Sequence, residues 1–287
     1  RSPRGCGWSV DLRCELGEGP VWDATREELL WVDVDRGLVH RRVPGRGDLS
    51  VDVGQPVGCA VPRAAGGLAL AVRDGFALLA EGAGGPARVV TAVEANRADT
   101  RMNDGAVDAR GRLWAGTMSL GGDTRTAALY RLDAELGVVR VLRGLSVSNG
   151  IGWSPDSSTL YHVDSPRRRV DLYEFKLDAG RIGPRRGAIP VAPELGTPDG
   201  LTVDSEGGLW LAMWGGGAVL RYSAAGELEE RLELPVTNVT SCCFGDPDLA
   251  TLYVTTAARG AAHEPLAGEL FALRPGVTGL PATPFAG

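Results

Sequence analysis

The sequence has no long apolar run and few signs of helical structure. None of its hydrophobic stretches approaches the roughly 18 to 20 residues that a membrane-spanning helix needs. Its 41 glycines and 18 prolines interrupt nearly every window long enough to carry a helical period. These absences argue against a mainly helical fold, and they predict a soluble protein that does not use a membrane.

The sequence also lacks an excess of basic residues, a regular pattern of cysteines and a cluster of histidines. The chain has 36 acidic and 30 basic side chains, and its net charge of −6 disfavours nucleic acid as a partner, because phosphate binding relies on a basic surface. The five cysteines show neither disulfide-framework nor metal-ligand spacing, so we expect a reduced, cytoplasmic protein. His40, His162 and His263 are scattered and show no ligand spacing. No Gly-x-Ser-x-Gly elbow is present, which excludes that type of serine-hydrolase motif.

One short phrase recurs along the chain: an acidic or amide residue, then glycine, then an apolar, strand-like run. Each copy is followed by a polar turn and a second apolar run, as in Leu209-Trp210-Leu211-Ala212. The four copies are Glu18-Gly19-Pro20-Val21-Trp22, Asp104-Gly105-Ala106-Val107, Asn149-Gly150-Ile151-Gly152-Trp153 and Asp199-Gly200-Leu201-Thr202-Val203. A repeated unit that always begins with an oxygen-bearing side chain suggests that these oxygens meet at one place.

The spacing of the paired apolar runs predicts the architecture. They recur at intervals of about 40 to 50 residues, the length of one four-stranded propeller blade. The pairs begin near Val21, Ala60 (a degraded copy), Ala106, Ile151, Leu201 and Cys243. Six copies fit the chain, so we predict an all-β fold, a single six-bladed β-propeller over residues 1–287. A β-sandwich is the alternative, but it would not explain the repeated phrase. Because closed propellers expose few sheet edges, we expect a monomer.

The propeller prediction places the repeated acids and amides around one mouth of the central channel, because equivalent positions in successive blades share a rim. Glu18, Asn149 and Asp199 would offer two carboxylates and one amide carbonyl there. Such hard oxygen donors suit Ca²⁺, Mg²⁺ or Mn²⁺, and Zn²⁺ remains possible. We therefore predict one divalent metal ion as cofactor. The competing interpretation of each single pair is that it only forms a good turn.

A second acidic segment is similar to part of a calcium-binding loop but lacks a residue that such a loop requires. Asp33-Val34-Asp35-Arg36-Gly37 is similar to the start of an EF-hand loop, but Pro44 stands where the twelfth-position glutamate is required. We predict a hairpin turn for this segment.

Taken together, the motifs resemble those of the regucalcin (senescence marker protein), gluconolactonase and luciferin-regenerating enzyme family. The resemblance runs from near residue 13 to the C-terminal end and so covers essentially the whole chain. It is carried by Gly17-Glu18-Gly19-Pro20-Val21-Trp22, Arg101-Met102-Asn103-Asp104-Gly105, Gly116-Thr117-Met118, Ser148-Asn149-Gly150, Pro198-Asp199-Gly200 and Thr240-Ser241-Cys242-Cys243-Phe244-Gly245.

The resemblance implies a six-bladed propeller with one divalent metal at the channel mouth. It implies that Glu18, Asn149 and Asp199 are the metal ligands and that Asp199 is also the general base. It further implies that Arg101 and Asn103 contact a small-molecule substrate. The Asp104 copy of the phrase is then expected to support the loop that carries these two residues.

The chain departs from the family after Gly-Thr-Met. Members that act on sugar lactones often carry a glutamate a few residues later, whereas residues 119–123 here read Ser-Leu-Gly-Gly-Asp. Asp123 would substitute only if the loop bends back. The substrate is therefore expected to be less hydroxylated than gluconolactone, or to be held differently, and its exact identity stays open.

The function predicted from these residues is a metal-dependent lactonase that hydrolyses a small cyclic ester, most simply a sugar lactone. The ion would polarise the carbonyl while Asp199 deprotonates the attacking water. Two alternatives stay open: a non-enzymatic calcium-binding regulatory propeller, and a biosynthetic enzyme acting on a natural-product lactone or another electrophile. Arg101 and Asn103 favour an enzyme, because a pure ion site needs no substrate clamp beside it.

Overall fold

The protein is described by a computed structural model covering residues 7–8, 12–43, 47–82 and 85–287. In these ranges 24 strands form six four-stranded antiparallel sheets, arranged as the blades of a propeller. Among the described residues the helical segments are two 3₁₀ turns, Ser165–Arg167 and Pro193–Leu195, and neither has the length and hydropathy that crossing a bilayer requires. The predicted six-bladed all-β propeller is confirmed.

The blades follow one another along the chain, and each is built from the channel outwards. Blade 1 consists of β2 (Gly17–Asp23), β3 (Glu28–Asp33), β4 (Leu38–Val43) and β5 (Gly47–Asp52). Blade 2 consists of β6 (Val57–Pro62), β7 (Leu68–Val72), β8 (Gly75–Leu79) and β9 (Arg88–Ala92). Blade 3 consists of β10 (Thr100–Val107), β11 (Leu113–Ser119), β12 (Ala127–Leu132) and β13 (Val138–Leu145).

The second half of the ring repeats the same plan. Blade 4 consists of β14 (Ser148–Trp153), β15 (Thr159–Asp164), β16 (Arg169–Lys176) and β17 (Arg181–Pro190). Blade 5 consists of β18 (Thr197–Val203), β19 (Leu209–Trp214), β20 (Ala218–Tyr222) and β21 (Leu228–Glu233). Blade 6 consists of β22 (Val239–Gly245), β23 (Thr251–Thr256), β24 (Phe271–Leu273) and β1 (Gly7–Trp8).

Blade 6 is completed by both ends of the chain. Its outermost strand β1 pairs with β24, with Gly7 opposite Ala272 and Trp8 opposite Phe271. The N-terminal segment thus joins the last blade, and the ring is held closed by hydrogen bonds between distant parts of the chain, which removes the open edges of a linear array.

In blades 3 and 5 the turn between the first two strands begins with a buried acid. Asp108 accepts a hydrogen bond from the Trp114 indole nitrogen at 2.8 Å, and Asp204 accepts one from Trp210 at 2.9 Å. Both aspartates are fully buried. Because a buried carboxylate needs partners to offset its lost hydration, each turn is tied to the core strand that follows it.

The inner strands surround a central cavity of about 440 Å³. Its walls include Val21, Val107 and Val203, and residues 280–283 lie against its far end, where the inner strands finish. Beyond them the C-terminal segment joins blade 2, because the Phe285 amide donates to the Pro62 carbonyl oxygen at 2.8 Å. The channel is thus covered at one end by the chain's own C-terminal segment.

The described cysteines are free thiols, and the acidic segment after β3 forms a turn. Cys14, Cys59, Cys242 and Cys243 carry no disulfide bond, while Cys6 lies outside the described ranges. Residues 34–37 form the turn between β3 and β4, as expected for a hairpin.

Candidate functional site

The repeated phrase forms a β-bulge at the start of four inner strands. In each, the pairing with the second strand of the blade shifts register. The shifts lie between Glu18 and Val21, Met102 and Gly105, Ser148 and Ile151, and Pro198 and Leu201. A bulge leaves a residue unpaired and redirects the side chains beside it. This is why the acid or amide of each phrase departs from the normal in-and-out alternation of a strand.

The glycine of the phrase is needed because neighbouring inner strands approach closely. A Cβ added to Gly150 would lie 2.8 Å from the Asp199 carbonyl oxygen, closer than real Cβ atoms come. Gly19 has a different requirement, since its φ of +52° lies in the left-handed region that L side chains rarely adopt. The glycines therefore allow the carboxylate- and amide-bearing strands to converge at the channel.

The amide residues and Arg101 form one buried hydrogen-bond network. Arg101 Nη1 donates to Asn103 Oδ1 at 2.8 Å. The Asn103 amide nitrogen donates to the Ser148 carbonyl oxygen at 2.9 Å and lies 3.2 Å from Asn149 Oδ1. The Asn149 amide nitrogen in turn donates to Ser165 Oγ at 3.0 Å. These contacts turn the Asn149 oxygen away from Ser165 and towards Asn103.

Three acids share this buried region. Glu18, Asp104 and Asp199 are all nine-tenths or more buried. Burial raises the pKa of Glu18 well above its usual range, and the charges of Asp199 and Asp104 raise it further. Burial also raises the pKa of Asp199 well above normal, with Asp104 adding to the effect, and it raises the pKa of Asp104 to about 6. The three carboxylates therefore repel one another in a dry environment.

Arg101 offsets part of this negative charge. Its guanidinium is only 7% exposed, and burial lowers its pKa to about 10, while the charges of Glu18 and Asp199 act in the opposite direction. One cation facing three acids leaves a net negative site, which favours a further positive charge.

The predicted ligand residues fit a divalent metal ion. Asp199 Oδ1 is buried and accepts no hydrogen bond of normal geometry, although the Asn149 side chain lies close enough to lower the pKa of Asp199, and a poorly satisfied buried oxygen is costly unless another group binds it. Glu18 supplies a second carboxylate and Asn149 an amide oxygen, the hard donors that such ions prefer. A divalent cation would satisfy the orphaned oxygen and reduce the repulsion between the acids.

Asp123 lies outside this network. Its side chain is exposed, and its carboxylate accepts a hydrogen bond from Ser146 Oγ at 2.5 Å. The contacts described for Arg101 and Asn103 do not include it. The structure thus places Asp123 in the loop after Met118, and its described contact with Ser146 does not join it to the buried network.

Two supporting residues escaped the sequence analysis. Ser165 orients Asn149, and His162 Nε2 lies 2.8 Å from Ser148 Oγ beside the same strand. Burial lowers the pKa of His162 to about 4, which keeps the imidazole neutral. Ser148 stood inside a motif that could have drawn attention to its partner, whereas no local signal connects Ser165 with Asn149.

The chain was compared with known proteins. It matches the model of the "SMP-30/Gluconolactonase/LRE-like region" over residues 16–258. It is 38% identical to regucalcin of Danio rerio over 97% of this chain and 99% of that protein. It is also 37% identical to a pentonolactonase of Haloferax volcanii, over 95% of each chain.

A solved structure agrees with this relationship. The calcium-binding protein regucalcin from Agrobacterium tumefaciens superposes with a TM-score of 0.90 at 27% identity, over 97% of each chain. The family model and the two relatives extend over nearly all of the inner strands that carry the site. The chain therefore belongs to the SMP-30/gluconolactonase/LRE-like family.

Proposed function

We propose that the protein is a lactonase that hydrolyses a sugar lactone with the help of one divalent metal ion held by Glu18, Asn149 and Asp199. The observation that carries the proposal is the buried Asp199 Oδ1, which accepts no hydrogen bond of normal geometry, in a site where the charge of Asp104 raises the pKa of both Glu18 and Asp199. Family membership and the similarity to a pentonolactonase support the choice of a lactone as substrate.

Arg101 and Asn103 would bind and orient the substrate. The hydrogen bonds described for Arg101 come from Nη1, which leaves Nε and Nη2 to donate to substrate oxygens. Asn103 is itself held by Arg101 and by the Ser148 carbonyl oxygen, so it would need little reorganisation when the substrate binds. Both Asn103 N–H groups already have acceptors, so its Oδ1 would accept a hydrogen bond from a substrate hydroxyl. Groups fixed in this way lower the entropic cost of reaching the reactive geometry.

Asp199 would act as the general base. Because coordination to an ion lowers the basicity of a carboxylate, Asp199 would be a weak base, and it would suffice because the same ion lowers the pKa of nearby water. When bound, the divalent ion would supply Lewis-acid polarisation of the lactone carbonyl. Asp199 takes a proton from water, the oxygen of that water bonds to the carbonyl carbon, and the ring C–O bond breaks. The ring oxygen then takes up a proton, and the product is a hydroxy acid.

The absence of the family's glutamate after Gly-Thr-Met bears on which lactones we expect the protein to accept. With Asp123 held by Ser146, the loop after Met118 presents no carboxylate at that position to bind sugar hydroxyls. We therefore expect activity on pentono- and hexonolactones to depend less on the hydroxyl pattern than on the lactone ring itself.

The test is proton release from a panel of γ- and δ-lactones by metal-stripped protein, with Ca²⁺, Mg²⁺, Mn²⁺ or Zn²⁺ added back. Asp199→Asn and Glu18→Gln should lower kcat/KM by a factor of 10³ or more, on the order expected for a lost base or ligand. Glu135→Gln, at an exposed acid outside the site, is the matched control.

Two results would overturn the proposal. Full activity in the Asp199 variant would exclude Asp199 as the general base, and full activity in excess chelator would exclude a metal requirement. Tight calcium binding without turnover of any lactone would favour the non-enzymatic calcium-binding alternative.

A further inference from the structure

A second group of metal-ligating side chains lies in blade 1, apart from the channel acids. Cys14 Sγ, one carboxylate oxygen of Asp33 and one ring nitrogen of His40 all lie within 4.8 Å of one another. The three residues are only 2%, 0% and 3% exposed. They come from the segment before β2, the end of β3 and the middle of β4, so only the folded blade brings them together.

One ring nitrogen of His40 has no hydrogen-bond partner. Its Nδ1 lies 2.7 Å from Ser50 Oγ, whereas its Nε2 is buried and has no hydrogen-bond partner. A buried ring nitrogen without a partner is costly. Histidines that bind metals commonly use one nitrogen for the metal and the other for a neighbouring polar group, and His40 has one nitrogen beside Ser50 and one without a partner.

Asp33 is held in place by the backbone. Its Oδ2 accepts a hydrogen bond from the Glu15 amide at 2.8 Å, and its Oδ1 accepts one from the Leu16 amide at 3.3 Å. Each carboxylate oxygen has two lone pairs, so these bonds leave acceptor capacity for an ion. Arg36 Nη1 lies 3.4 Å from Asp33 Oδ2, and the Arg36 side chain is half exposed.

Blade 4 shows that this contact between an aspartate and two backbone amides forms without a cysteine or a histidine nearby in the blade's equivalent positions. Asp164 Oδ1 accepts hydrogen bonds from both equivalent amides, those of Ser146 and Val147, at 3.1 and 2.9 Å. By register, Leu145 and Asp171 stand there at the positions of Cys14 and His40. The Cys14 thiol and the His40 imidazole are therefore not required for the contact between Asp33 and the backbone amides.

We propose that Cys14, Asp33 and His40 bind one thiophilic divalent ion such as zinc, at a site separate from the channel acids. Thiolate, imidazole and carboxylate are the ligands that zinc uses in proteins. The thiolate and carboxylate charges match a divalent cation, and the sulfur disfavours Ca²⁺ and Mg²⁺. Binding releases the Cys14 thiol proton and forms the metal–sulfur bond, with no change of oxidation state.

The ion would have a structural role. Cys14 precedes the strand that begins at Gly17, and a Cβ on Gly17 would lie 3.2 Å from the Cys14 Cβ. Tying Cys14 to β3 and β4 would therefore fix the segment that leads into Glu18. The proposal does not depend on lactonase activity, and binding spectroscopy tests it independently.

The experiment is a Co²⁺ titration of the metal-stripped full-length protein in excess Mg²⁺, which saturates hard oxygen sites. We expect one equivalent to produce a thiolate-to-cobalt charge-transfer band together with the intense visible bands of a low-coordinate site. Zn²⁺ should remove both, and Mg²⁺ or Ca²⁺ should not. Asp199→Asn should keep the band, because its residue belongs to the other site.

Variants make the assignment specific. Cys14→Ser and His40→Gln should lose the charge-transfer band or weaken Co²⁺ binding at least 100-fold, whereas Cys59→Ser, at another buried cysteine, should keep it. Circular dichroism verifies that each variant is folded, and His40→Gln keeps the test usable if Cys14→Ser does not fold. No charge-transfer band in the wild type, or an unchanged band in folded His40→Gln, would overturn the proposal.

Discussion

The side-chain nitrogen of Asn103 lies 3.2 Å from the side-chain oxygen of Asn149, so an amide of blade 3 donates to the proposed ligand oxygen of blade 4. The same nitrogen donates to the Ser148 carbonyl oxygen, and Arg101 holds the other end of the Asn103 amide. The proposed substrate-binding residues and the proposed metal ligands are therefore parts of one rigid network and cannot be altered separately.

The first prediction concerns this link. Asn103→Ala removes both the contact to Asn149 and the acceptor of Arg101, so we expect kcat/KM for the best lactone to fall by roughly 10²-fold or more and metal affinity to fall by about 10-fold. Steady-state kinetics and calorimetric metal titration measure the two effects. Asn96→Ala, at an exposed amide, is the control. A change in kcat/KM with unchanged metal affinity would show that the two functions are separable.

The second prediction concerns repulsion between the acids. In metal-free protein, Asp104→Asn should raise the melting temperature, because it removes one of the charges that raise the pKa of Glu18 and Asp199. An asparagine oxygen can still accept the hydrogen bond that the Gly105 amide donates at 2.7 Å. The stabilisation by added divalent metal should become smaller, since less charge remains to attract the ion. Melting curves with and without chelator measure both effects.

Asp123→Asn provides the comparison for this experiment, because that acid is exposed. It should leave both melting curves unchanged. A lower melting temperature for metal-free Asp104→Asn would mean that the carboxylate stabilises the fold and that repulsion is not the dominant effect.

The third prediction is a pH dependence of stability. Burial lowers the pKa of His162 from 6.5 to about 4, so the unfolded chain binds a proton there more readily than the folded protein does. The stability due to the neutral imidazole is complete above pH 6.5 and is lost as the pH falls towards 4. The loss is roughly 3 kcal/mol if the unfolded value is normal.

His162→Gln isolates this contribution. Glutamine can hydrogen-bond with Ser148 but does not titrate, so the variant should lose less stability than the wild type between pH 6.5 and 4. Urea denaturation at a series of pH values measures the difference. Parallel curves for the two proteins would contradict the assignment.

The fourth prediction concerns the buried turn acids. Asp108→Ala leaves the Trp114 indole N–H and Arg112 Nε without their acceptor, although Arg112 Nη2 still donates to the Leu177 carbonyl oxygen, and we expect a loss of roughly 3 kcal/mol in unfolding free energy. Chemical denaturation measures this loss. Asp178→Ala, whose side chain is 85% exposed, should have little effect. Equal stability of the two variants would show that the buried acid does not anchor the blade.

Much of the fold was readable because propeller blades are local structures. Each inner strand pairs with the strand that follows it, so a repeated phrase and a nearby turn were enough to place six strand pairs. The joining of β1 to β24 was not readable, since Trp8 and Phe271 meet only after the ring has closed. A two-residue strand also carries no alternation that a sequence pattern could reveal.

The candidate site was partly readable for the same reason. Glu18, Asn149 and Asp199 occupy equivalent places in their blades, so the repeat alone brings them to one rim. The contact between Asn149 and Ser165, and the burial of His162 behind Ser148, depend on packing within blade 4. Neither contact leaves a periodic trace along the chain.

By itself, the sequence determined the all-β blade repeat and the set of oxygen-bearing residues that begin four inner strands, because both depend on short-range pattern and register. Packing of the blades was needed to set the pKa shifts of the buried acids, to hold Asp123 in its surface loop, and to bring Cys14, Asp33 and His40 into one buried cluster. These outcomes depend on distances between residues far apart in the chain, and such distances exist only once the blades have packed.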